Sequence, residues 1–86
     1  LVQGGSAGNQ IQVSANGDGS LQVTDHGVKV AIAGVAPTLT NTRIVVEQSG
    51  QGTGNILATD ASLGTIPTFL DATAGTNNVI KPGNSG

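Results

Sequence analysis

A chain of 86 residues makes at most one small domain, and one this size buries only about 60–65% of its unfolded surface, which leaves it marginal without outside help. It has no Cys, so disulfides and thiolate zinc sites are excluded, and a single Phe with no Trp, Tyr or Met excludes an aromatic-filled core. With 9% charged residues and a net charge of −2 there is no basic footprint for nucleic acid, no polybasic segment for anionic lipid, and little electrostatic protection against self-association.

Taken in chain order, the elements read as strands. Gln10-Ile11-Gln12-Val13-Ser14 and Ser20-Leu21-Gln22-Val23-Thr24 alternate polar and apolar residues, and Asn16-Gly17-Asp18-Gly19 between them suits a hairpin turn. Asp25-His26-Gly27 turns the chain into Val28-Lys29-Val30-Ala31-Ile32, so the first third reads as a three-strand antiparallel meander. Gly34 to Asn41 is a connection around Pro37, with a short edge strand at Thr38-Leu39-Thr40. Arg43 to Gln48 is a strand apolar on both faces in its middle, which points to burial, and Asn55 to Ala58 is the next. Asp60 to Gly64 reads as a turn, Thr65 to Leu70 as extended around Pro67, and Asn78 to Lys81 as a last strand stopped by Pro82. No apolar run approaches the ~20 residues that span a bilayer.

Three glycine-rich turns each lead through an asparagine to an apolar residue two places later. They are Gly4-Gly5-Ser6-Ala7-Gly8-Asn9-Gln10-Ile11, Gly50-Gln51-Gly52-Thr53-Gly54-Asn55-Ile56-Leu57 and Thr73-Ala74-Gly75-Thr76-Asn77-Asn78-Val79-Ile80. On these residues the chain resembles the repeats-in-toxin (RTX, hemolysin-type calcium-binding) bacterial surface and secreted proteins, whose repeat is Gly-Gly-x-Gly-x-Asp-x-apolar-x. Gly4 and Gly5 match the first glycines, Asn9 stands at the aspartate position and Ile11 at the apolar one. Gly50, Asn55 and Leu57 follow in the second copy, then Asn78 and Ile80 in the third. The resemblance implies a parallel β-roll with calcium between its turns. Asn9, Asn55 and Asn78 are its ligand candidates, and Asp60, after a glycine-rich turn and strand, is a further one. Calcium is a hard cation whose affinity rises with the number of carboxylates. An asparagine carbonyl does not neutralise it, so the chain is expected to hold no metal. Asparagine amides stacked in register instead form uncharged ladders.

Other chemistry is thin. His26 sits in a turn, and no Ser occupies a nucleophile-elbow context. Gly50 to Gly54 lacks the Lys-Ser/Thr of a phosphate loop. Asp18 in its glycine turn is expected to bond its own backbone. Glu47 with Lys29 or Lys81 and an Asn suggests an isopeptide crosslink only if the three converge in a buried site, and a surface ion pair is the ordinary expectation.

The sequence therefore predicts an all-β domain over residues 1–82, an antiparallel meander leading into a short β-solenoid, β-roll or sandwich-like stack. Residues 83–86 form a tail or inter-subunit linker. Leu1 stands in place of a methionine, which reads as a processed or excised segment. The expected function is structural and not enzymatic: an extracellular or cell-surface subunit that forms a homo-polymer through strand edges. Ile11, Val13, Val79 and Ile80 are its candidate contacts, with no nucleic-acid partner and no membrane insertion. The alternative is a calcium-stabilised RTX-like binding module of a larger secreted adhesin or enzyme.

Overall fold

Period-two alternation makes strands where apolar residues have an inner face to fill. The computed structural model describes residues 1–86 and is all-β apart from one 3-10 turn at Ala61–Leu63. Its strands are β1 Val2–Gln3, β2 Gln10–Ala15, β3 Leu21–Asp25, β4 Val28–Lys29, β5 Val45–Gln48, β6 Ile56–Thr59, β7 Thr68–Asp71 and β8 Val79–Lys81. They form a three-stranded sheet in the order β1-β5-β7 and a five-stranded sheet in the order β4-β3-β2-β6-β8.

The meander is present as β2-β3-β4. Ile11 pairs with Asp25 and Val13 with Val23, and the connecting turn is closed by the Gly19 N–H on the Asn16 carbonyl at 3.0 Å. The third strand stops earlier than its sequence pattern suggests. After Val30 N–H reaches the Val23 carbonyl, the edge of β3 is taken by the returning chain: Leu21 N–H bonds the Pro37 carbonyl and Ser20 bridges Thr38. Ile32 is left unpaired and 43% exposed. The edge strand expected at Thr38–Thr40 is reduced to that single bridge.

The rest of the chain is built from parallel ladders. Val45 pairs with Thr68 and Ile56 with Val79, a constant offset of 23 residues, and Thr53 bridges Thr76 in the turn between them. β1 and β2 lie on the other side of β5 and β6 in the same sense, Val2 against Glu47 and Gln10 against Ile56. Ile11, Val13, Leu21, Val23, Val45, Leu57 and Leu63 fill the space between the sheets. β1 is too short to carry any alternation and was not expected from the sequence. Residues 83–86 are tied down: Gly83 N–H donates to Thr59 Oγ1, and Asn84 Nδ2 donates to the carbonyls of Gly64 and Ile66.

The turns pack backbone on backbone, which explains their glycine. A Cβ on Gly52 would strike the Ala7 carbonyl group, and one on Gly75 would strike the carbonyls of Gly50 and Gly52. Gly75 also has φ +76, a conformation costly for any residue with a Cβ. Gly5 has nothing within 4 Å of its would-be Cβ. Gly52→Ala is therefore expected to lower unfolding free energy by about 2–3 kcal/mol, and Gly5→Ala by less than about 0.5 kcal/mol. Guanidinium unfolding of the pair checks this, and equal losses would mean that the turns do not touch.

Candidate functional site

Two features carry chemistry: a buried line of polar side chains through the stack, and the free strand edges at its ends. The polar line begins in the glycine turns. Asn55 is fully buried, with Nδ2 3.3 Å from the Gly50 carbonyl, 3.0 Å from that of Gly52 and 2.9 Å from Asn78 Oδ1. Asn78 repeats the arrangement one turn on, donating to the carbonyls of Ala72 and Ala74 at 2.9 and 2.6 Å. Asn55 Oδ1 accepts the Asn9 N–H at 3.0 Å, so the three asparagines are joined in register. Asn9 differs: its Nδ2 donates to Asp25 Oδ2 at 2.7 Å and its buried Oδ1 has no partner. Asp25 also accepts the Gln10 N–H, which, ahead of its bonds to Asn9 and His26, holds its carboxyl below the usual range.

The three asparagines proposed as calcium ligands thus share one structural column, and Asp60 lies apart from it. Asp60 caps the 3-10 turn, accepting the Ser62 N–H at 2.9 Å and the Ser62 hydroxyl, while its other oxygen accepts from Gln12 Nε2. Asp18 behaves similarly with Ser20, as the turn reading requires. No group of three or more His, Cys, Asp or Glu side chains converges. His26 lies in an exposed turn at φ 51, 2.8 Å from Asp25.

Asn55→Asp would put a carboxylate oxygen where Nδ2 now meets three acceptor oxygens. In chelator it is expected to cost at least about 3 kcal/mol, read by chemical unfolding. A wild-type-like midpoint would show that the column is not structural. If the same oxygens suit calcium, millimolar calcium restores the variant's melting temperature.

Glu47 overturns the surface ion-pair expectation. Strand alternation turns Val45 and Glu47 inward together, and Glu47 is completely buried. Oε1 accepts the Ala58 N–H at 3.0 Å, Oε2 has no partner, and no lysine pairs with it. Burial pushes its pKa from 4.5 up to about 7, the Ala58 bond opposing this weakly. The folded state then binds the proton more tightly than the unfolded one. Stability is therefore greatest below pH 4.5 on this account and falls as pH rises to about 7, by on the order of 3 kcal/mol. The lowered carboxyls of Asp18, Asp25 and Asp71 act only below this window. Glu47→Gln should flatten the profile between pH 4.5 and 8 in urea unfolding. An unchanged slope would assign it to another group.

The candidate assembly residues divide. β2 is paired on both sides, by β3 and β6, so Ile11 and Val13 are 3% exposed and have no free edge to offer. Val79 and Ile80 lie on the edge strand β8 and are 45% and 46% exposed. Sequence reasoning missed the other exposed end. There the β1 edge, the inner face of β3 and the segment from Val30 to Pro37 surround an apolar recess of about 440 Å³. Its signal was the period-two run from Val28 to Ile32, too apolar for a surface loop.

Comparison with protein-family models, with curated proteins and with solved structures finds no match.

Proposed function

We propose that this chain is a structural subunit that self-assembles through its strand edges into an extracellular fibre or surface matrix. The observation that carries this reading is that the five-stranded sheet ends in unpaired edges, at β4 and β8, whose aliphatic residues stay exposed. Val28 is 70%, Val30 46% and Ile80 46% accessible. Unpaired edges with apolar side chains are templates for another chain, and a net charge of −2 opposes association weakly. On this reading the parallel ladders are the turns of a short β-solenoid, which gains burial when further turns are added. No helix is long and apolar enough to cross a membrane. Nucleic acid is not a partner in this proposal, because three Lys and Arg residues provide no basic surface.

A second reading has one observation in its favour. The carbonyls of Gly50 and Gly52, and of Ala72 and Ala74, converge on asparagine side chains, an oxygen-rich arrangement of the type an RTX-like calcium module would use. Negative-stain electron microscopy in chelator and then in millimolar calcium separates the two. Filaments in chelator are the expected result. Dispersed particles in chelator that order only with calcium would favour the module, and dispersion in both would defeat the assembly reading.

A further inference from the structure

We infer that the end of the stack formed by β7 and β8 pairs with the same end of a second copy about a two-fold axis, and that this dimer is the building unit of the assembly. The inference rests on the self-assembly reading and specifies its first interface.

The two ends are unlike. At the β1 end the five-stranded sheet runs two strands further than its partner, because β3 and β4 lie outside β2 while nothing lies outside β1. Strands are spaced about 4.8 Å apart, so this is a step of roughly 10 Å. At the other end β7 and β8 finish on the same turn, each 23 residues beyond its neighbour. Head-to-tail stacking therefore pairs one sheet and leaves the other separated by the step. Two β7/β8 ends meet flush and pair both sheets at once.

The backbone parity agrees on both sheets. Val79 N–H is spent on the Asn55 carbonyl, so along β8 the alternating backbone groups of Ile80 point to the free edge. On β7 the carbonyls of Pro67 and Asp71 are spent on Val45 and Ser49, which turns the groups of Leu70 outward in the same way. An antiparallel pair centred on Ile80 and another on Leu70 each bring a residue opposite its own copy in a hydrogen-bonded position.

The side chains fit as well. Ile80 extends the inner stripe of Ile11 and Leu57, and Leu70 already packs on the core. Ile80 against Ile80 continues the core through the interface. Lys81 falls opposite Val79 of the other copy, so the charges avoid each other. The contact is isologous, and longer fibres then grow from the opposite, Val28–Ile32 end.

Because the chain has no Cys, single substitutions report the geometry cleanly. Hydrogen-bonded antiparallel partners sit with Cα atoms about 5.5 Å apart, within disulfide range, whereas the diagonal Val79 pair is about 8 Å apart and on the other face. Under mild oxidation Ile80→Cys is expected to give at least roughly tenfold more disulfide dimer than Val79→Cys. Light scattering of the unmodified chain gives its mass in parallel. Equal crosslinking, or none while the unmodified chain still associates, would overturn the two-fold inference and leave the assembly reading standing. An unmodified chain that stays monomeric at every concentration, as one built to take another protein's strand would, defeats both.

Discussion

The structure depends on how closely two polypeptide backbones are brought together in the glycine turns. With no aromatic layer and no disulfide, the chain obtains cohesion by stacking turn on turn until a Cβ no longer fits at Gly50, Gly52 or Gly75. That approach removes carbonyl groups from water, and each must find a donor or cost stability. The Asn55 and Asn78 amides supply the donors from within the stack. Asparagine suits this position because its amide carries donors for the carbonyls of its own turn and an acceptor for its neighbour. Aspartate has only acceptors, and would need a cation to hold the same oxygens together.

Glu47 shows the opposite balance within the same core. The position faces inward between Val45 and the β6 backbone, where an aliphatic side chain is the simple solution. A carboxyl there satisfies one backbone N–H and leaves an oxygen without a partner. A burial cost at the centre of a core of seven aliphatic residues is a large fraction of what so small a domain can hold in reserve. The cost depends on protonation, so acidity and cohesion are coupled through one group.

Much of the architecture was legible in the residues because it follows from local alternation. β2, β3, β5, β6 and β8 fall within a residue or two of their sequence patterns, and Asn16 to Gly19 announces its hairpin. The asparagine column was also legible, since Asn9, Asn55 and Asn78 occupy the same place in three decaying copies of one motif. What the sequence concealed was non-local. No pattern marks β1, whose two residues are strand only because β5 lies beside them. Nothing local reveals that β2 is central, so Ile11 and Val13 resembled an edge. Glu47 was misread because charge outweighed the period-two position that placed it inside. The early end of β4 was likewise decided by residues 37 and 38 returning to the edge of β3.

The segment between β2 and β5 explains why the molecule has a direction at all. If its turns followed one another at the regular 23-residue offset, both ends would present the same kind of edge and copies could join in either sense. Instead β3 and β4 fold back over β2, and Asp25 closes the Asn9 end of the column by accepting from Asn9 Nδ2 and the Gln10 N–H. The column can be extended only past Asn78, next to Ile80 and Leu70. One hairpin thus closes the asparagine column by sequestering donors at one end, and it leaves the aliphatic stripe of Ile80 and Leu70 open at the other.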